Sequence, residues 1–138
     1  ASQIALGIAL QKPERRVYCF DGDGASIMHM GNMAITASMK CKNYVHIVFN
    51  NGAHDSVGGQ PTVGLKIDFC AIAQAVGYKA AYSVETMEAL EAKLAEFKNA
   101  EGPVFLQICV KKGNRKDLGR PTTTPIQNKE AFMEFLNK

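Results

Sequence analysis

A chain of 138 residues, 46% hydrophobic and 21% charged, is long enough for one cored domain and too short for two. A formal charge of +3, with no long Lys/Arg run interleaved with aromatics, argues against nucleic acid as a partner. No secretory leader is evident and no apolar run approaches the roughly eighteen residues of a membrane span, so a membrane is not expected and a reducing cytoplasm is the expected setting.

Ile4, Ala5, Ile8 and Ala9 recur at helical spacing between Ser2 and Leu10, and Pro13 closes the segment. Ala1 opens inside that pattern without a methionine or a cap, which leads us to expect further sequence upstream. Arg16–Phe20 is a run of β-favouring residues ending at Asp21-Gly22-Asp23-Gly24, a strand followed by a glycine turn. Ser26 to about Ser38, rich in Met, Ala and Ile, predicts a helix directly behind that turn. Met28, Met30, Met33 and Met39 read as core filler, and His29 among them as a packing residue.

Tyr44–Phe49 is nearly continuous in apolar residues and predicts a strand buried on both faces, with His46 a satisfied core residue. Asn50–Leu65 is a long polar, glycine-rich loop, a length that usually signals function. Asp68 is placed to cap a helix carrying Phe69, Ile72, Ala73 and Val76, with Gly77 as its stop. Tyr78–Tyr82 predicts a third strand. Ser83 is read as the cap of a helix running to about Lys98, and Pro103–Val110 as the fourth strand. Lys111–Thr124 reads as an irregular basic stretch, and Phe132, Phe135 and Leu136 mark a last short helix capped by Asn128. The four cysteines, Cys19, Cys41, Cys70 and Cys109, have no metal-motif spacing and read as small core hydrophobes.

This alternation predicts an α/β fold, a doubly wound parallel sheet with helices on both faces. In such sheets ligands collect beyond the carboxyl ends of the strands. The turn after the first strand and the Asn50-Asn51-Gly52 turn after the second should open on that one edge, as two halves of one site.

Gly22 and Gly24 allow a tight turn, and Gly24 lets a ligand approach the main chain. A helix starting behind such a turn suits a phosphate or diphosphate. Asp23 would repel that anion unless a cation bridged them, and Mg²⁺ commonly bridges a carboxylate to phosphates. Asn51 offers a second, neutral oxygen ligand, and a backbone carbonyl just after it a third. Both turns could equally be plain turn formers, since Asp-Gly and Asn-Gly are common in turns.

Gly22-Asp23-Gly24, a spacer of twenty-five residues and Asn50-Asn51 together resemble the cofactor signature of thiamine-diphosphate enzymes. The stretches ASQIALGIALQKPERRVYCFDGDGASIMHMG and NNGAHDSVGGQPTVG resemble the C-terminal domain of the phosphonopyruvate decarboxylase family, whose near relatives are sulfopyruvate decarboxylases. The resemblance implies the thiamine-diphosphate-binding fold, with thiamine diphosphate and Mg²⁺ as cofactors. It implies Asp23, Asn51 and the Ala53 carbonyl as metal ligands, and Gly22, Gly24, Ala25 and Ser26 against the diphosphate. His54 and Asp55 would lie on the substrate side, or alternatively be a polar loop pair facing water.

The implied reaction converts 3-phosphonopyruvate, a small anionic 2-oxo acid, to phosphonoacetaldehyde and CO₂. A pyrimidine-binding domain, absent from these 138 residues, would come from the same or a partner chain in a homo-oligomer, so the fragment alone should not turn over. A non-catalytic phosphate- or nucleotide-binding module is the competing reading from another class.

Overall fold

Val17–Gly22 (β1), Tyr44–Asn50 (β2), Ala80–Val84 (β5) and Val104–Cys109 (β6) form one four-stranded sheet in the order β1-β2-β6-β5, every neighbouring pair parallel. The structure, a computed structural model, describes all 138 residues. Between β2 and β5 lies a small antiparallel pair, Ala53–His54 (β3) with Gln60–Pro61 (β4), joined through a 3₁₀ turn at Asp55–Val57. The six helices are Ser2–Gln11 (α1), Asp23–Met28 (α2), Gly31–Ser38 (α3), Phe69–Val76 (α4), Met87–Phe97 (α5) and Pro125–Leu136 (α6). No helix is long and apolar enough to cross a membrane.

Helices cover both faces, as a parallel sheet requires. On one face Met33 and Ala37 of α3 and Phe69 and Ala73 of α4 pack with Val48, Phe105 and Tyr78. Leu6 and Ala9 of α1 pack with Cys19, Cys41 and Tyr44. On the other face Phe97 of α5 closes over Val45, Ile47, Val84, Val104, Leu106 and Ile108, with Leu90 at its side. β2 is therefore buried along nearly its whole length, Phe49 excepted. Because all four strands run the same way, Gly22, Asn50 and Cys109 end on one edge of the sheet.

Local chemistry explains several boundaries. The Asp68 side chain accepts a hydrogen bond from the Ala71 N–H, and Gly77 ends α4 at φ +103°, the cap and stop expected of them. The expected single helix behind the glycine turn is two helices instead. It starts at Asp23 rather than Ser26 and breaks at His29, whose φ is −125°, just before Gly31, a poor helix former. Met28, His29 and Met39 consequently face solvent, while Met33 is core.

Ser83 does not cap α5. It lies in β5, where its hydroxyl accepts from Gln107, and Thr86 caps instead. The last helix begins at Thr124 rather than Asn128, with a reciprocal Thr124/Gln127 capping box and Pro125 in the first turn. Its Phe132 and Phe135 remain largely exposed.

Candidate functional site

At the carboxyl edge of the sheet, β1 passes directly into α2, which makes Asp23 the first helical residue and only 1% exposed. β2 ends at the fully buried Asn50, and the chain folds back on itself at Gly52, φ +68°. Asn50 holds this turn together: its Oδ1 accepts from the Gly52 N–H at 3.1 Å and its Nδ2 donates to the Gly64 carbonyl at 2.7 Å. The far end of the long loop is thereby pulled over the first turn. Thr62 donates its hydroxyl hydrogen bond to Asp23 Oδ2 and accepts from the Gly64 N–H.

Gly64 fills the junction between the two turns. A Cβ there would stand 2.5 Å from Asp23 Oδ2 and 2.7 Å from Asn50 Oδ1, so only a glycine lets the loop cross at this point. The Asp23 and Asn50 side chains, twenty-seven positions apart in sequence, meet across it. Asn50, Thr62 and Gly64 were not singled out by sequence reasoning. The Asn-Asn pair was a signal for the first; nothing local marks the other two.

Asn51 is held as firmly. Its Oδ1 accepts from the Ala53 N–H at 2.9 Å, and its Nδ2 donates to Asp55 Oδ2 at 2.8 Å. The same Asp55 oxygen accepts from the Gly113 N–H at 2.9 Å, and Lys112 Nζ donates to the Gly59 carbonyl. Asp55, half-buried, therefore joins the turn after β2 to the segment after β6. The His54 ring lies on Gly24, where an added Cβ would be 2.4 Å from Nδ1 and 2.5 Å from Cε1. The His54 ring approaches the Gly24 main chain, where the sequence leads us to expect a ligand.

The donor set suits a hard divalent cation beside an anion. Asp23, Asn51 and the Ala53 carbonyl are all oxygen donors, the kind Mg²⁺ takes. The buried Asp23 carboxylate forms no ion pair with Lys, Arg or His, and an uncompensated buried charge is costly. The Asn51 amide oxygen keeps a second lone pair beside its bond to Ala53. Ser26, 4% exposed, has a buried hydroxyl with no partner in the chain, as a group waiting for an acceptor would. Gly22 is open, with nothing within 4 Å of an added Cβ.

Residues 1–108 match the thiamine pyrophosphate enzyme family at its C-terminal TPP binding domain. The phosphonopyruvate decarboxylase of Streptomyces viridochromogenes is 36% identical over 136 residues, 99% of this chain and 34% of that protein. The sulfopyruvate decarboxylase subunit beta of Methanocaldococcus jannaschii is 32% identical over 142 aligned positions, 100% of this chain and 72% of that subunit. Among solved structures, a thiamin diphosphate-dependent enzyme isolated from Mycobacterium smegmatis superposes with a TM-score of 0.69 at 28% identity, covering 81% of this chain and 22% of that one. The chain thus spans about a third of the length of the Streptomyces decarboxylase it matches.

Proposed function

The chain belongs to the thiamine pyrophosphate enzyme family as its C-terminal TPP binding domain, and from that premise we propose that it holds the diphosphate and Mg²⁺ of a decarboxylase converting 3-phosphonopyruvate to phosphonoacetaldehyde and CO₂. The observation that carries this reading is the meeting of the two polar turns at one sheet edge, a buried, cation-free Asp23 on one side and a pinned Asn51 on the other. The identity to the Streptomyces phosphonopyruvate decarboxylase along nearly the whole chain supports the substrate.

In this proposal Asp23, Asn51 and the Ala53 carbonyl ligate Mg²⁺. The Ser26 hydroxyl and the first-turn N–H groups of Gly24 and Ala25 receive the diphosphate. α2 is only six residues long, so these individual donors, rather than a long helix dipole, supply the binding. Thr62, Gly64 and Asn50 close the loop over Asp23 and exclude water from the carboxylate. Bound thiamine diphosphate supplies the electron sink that decarboxylation of a 2-oxo acid needs.

Asp55 is a positioning residue in this scheme. It accepts a hydrogen bond from the Asn51 amide N–H, which fixes the amide plane and would aim Oδ1 at the metal. His54, whose ring nitrogens make no hydrogen bond within the chain, faces the same edge and is suited to donate to an anionic substrate or carry its proton. The pyrimidine end of the cofactor would be held by a separate domain of the same or a partner chain in an oligomer.

A second reading, a sulfopyruvate decarboxylase, is favoured by the fit to the Methanocaldococcus jannaschii beta subunit, of which this chain covers 72%. The two readings differ only in the anionic tail of the substrate. CO₂ release by the full-length protein, with thiamine diphosphate and Mg²⁺, on phosphonopyruvate and sulfopyruvate side by side separates them. Preference for phosphonopyruvate is expected; preference for sulfopyruvate selects the second reading, and release from neither overturns both.

A further inference from the structure

A second constellation of ligating groups lies one layer inward from the candidate site, on the face of the sheet covered by α1 and α3. Cys19 of β1 and His46 of β2 are register partners, and Asp21 follows Cys19 on the same face. One ligating atom of each, the Cys19 Sγ, an imidazole nitrogen and a carboxylate oxygen, lies within 4.8 Å of the other two. His46 is 2% exposed, and its Nε2 has no hydrogen-bond partner. The nearest carboxylate oxygen, Asp21 Oδ2, stands at 3.7 Å, too far for a hydrogen bond. His46 was expected to be a satisfied core residue; half of its ring is not satisfied.

The ring cannot turn to mend this. Tyr44, Tyr78 and Phe105 pack around it at centroid distances of 6.1, 6.2 and 5.5 Å. Its Nδ1 is fixed by the Tyr78 hydroxyl at 3.1 Å, which is how histidine ligands are usually oriented, one nitrogen held by an outer group and the other presented to the ion.

We infer that Cys19, Asp21 and His46 form a binding site for a borderline-soft divalent cation such as Zn²⁺. A sulfur, an imidazole nitrogen and a carboxylate oxygen are zinc donors. Tetrahedral bonds of about 2.0–2.3 Å place donors roughly 3.3–3.6 Å apart; the Asp21–His46 spacing of 3.7 Å is close to that, and the whole set, spread over no more than 4.8 Å, need close by no more than about an ångström on binding. Two paired strands carry all three donors, which makes the site stiff. Three protein ligands leave a fourth position. Asp21 also borders a cavity of about 190 Å³ that touches Ala25, His29 and Asn32, through which water can supply it. The site is distinct in chemistry from the all-oxygen set at Asp23 and does not depend on the cofactor reading.

The test titrates Co²⁺, as a spectroscopic stand-in, into the chelator-treated full-length protein. One equivalent per chain is expected to bind with a thiolate-to-cobalt charge-transfer absorption that Zn²⁺ displaces. Cys19→Ser, nearly isosteric, should abolish that absorption; His46→Gln should lower affinity at least tenfold; Cys41→Ser should change nothing. Circular dichroism on each variant confirms the fold. The inference is overturned if no charge-transfer absorption develops, if it survives Cys19→Ser, or if Asp23→Ala removes it while Cys19→Ser does not.

Discussion

The imidazole of His54 rests on the α-carbon of Gly24, so close that a Cβ added there would stand 2.4 Å from Nδ1. This contact locks the turn after β2 onto the turn after β1, and it makes Gly24 a packing requirement as much as a conformational one. Gly24→Ala is expected to displace the His54 ring without unfolding the domain, because a side chain can yield where backbone cannot. The full-length protein should then lose activity more through kcat than through cofactor affinity. Unchanged kcat and KM in both Gly24→Ala and His54→Ala would remove His54 from the site.

Gly64 has no such freedom. Its added methyl would meet Asp23 Oδ2 and Asn50 Oδ1 at 2.5 and 2.7 Å, and both are buried and hydrogen-bonded. Gly64→Ala is expected to destabilise the domain by about 1–3 kcal/mol, the usual range for overpacking, and to lift the loop from Asp23. Denaturant unfolding checks the first effect and cofactor titration the second.

Ser26 separates binding from stability. Its buried hydroxyl has no partner within the chain, so Ser26→Ala removes nothing that holds the fold. Stability should stay the same or rise, while thiamine diphosphate affinity falls by about 1.5–3 kcal/mol, the range for a hydrogen bond to a charged group and roughly a factor of ten to a hundred and fifty. A drop in stability with affinity intact would contradict the assignment.

Asp55 acts through Asn51. Asp55→Ala frees the Asn51 amide and cuts the tie to Gly113, and a lost outer-shell partner typically lowers metal affinity about tenfold to a hundredfold. The Mg²⁺ concentration for half-maximal activity should rise accordingly. Asp55→Asn, whose amide oxygen can still accept both bonds but without the charge, should fall between the wild type and Asp55→Ala.

Buried tyrosines set the alkaline limit. Burial first, then the neighbouring Cys19, drives the Tyr44 hydroxyl far above its ordinary value, and burial does the same to Tyr78. A folded-state pKa raised above the unfolded one gives stability that is full below the unfolded value, about 10, and is lost as pH rises beyond it. In the metal-free chain burial also raises the Cys19 thiol, so there the decline starts nearer the unfolded thiol value of about 8.5. Urea midpoints from pH 8 to 11 should fall, and Tyr44→Phe should flatten the fall above pH 10. A profile as steep in Tyr44→Phe as in the wild type would contradict this.

The sheet was legible because its cues are local. The apolar run Val45–Phe49, the Asp68 cap and the Gly77 stop each act within a few residues, and each appears where expected. The two halves of the site were legible as a spacing, since one crossover and one strand must separate turns that share an edge. Thr62 and Gly64 were not, because they reach Asp23 from about forty positions away and nothing nearby marks them.

The misplaced caps have a different cause. Ser83 and Thr86 are both competent caps, and pairing of β5 with β6 to Val84 claims the first. The Thr124-x-x-Gln127 pattern was present as a readable signal beside Asn128. His46 looks like an ordinary strand residue in sequence. Only the register that sets it opposite Cys19 shows the unsatisfied nitrogen.

The central claim, that the two turns hold one Mg²⁺–diphosphate site, is tested most directly by calorimetric titration of thiamine diphosphate into the full-length protein and its Asp23→Ala variant, each with and without Mg²⁺. Asp23→Ala should keep its circular dichroism, lose the Mg²⁺ dependence and bind more weakly than Asp55→Ala, by more than the roughly tenfold to hundredfold typical of a lost outer-shell partner. Binding of wild-type strength that still depends on Mg²⁺ would contradict the claim.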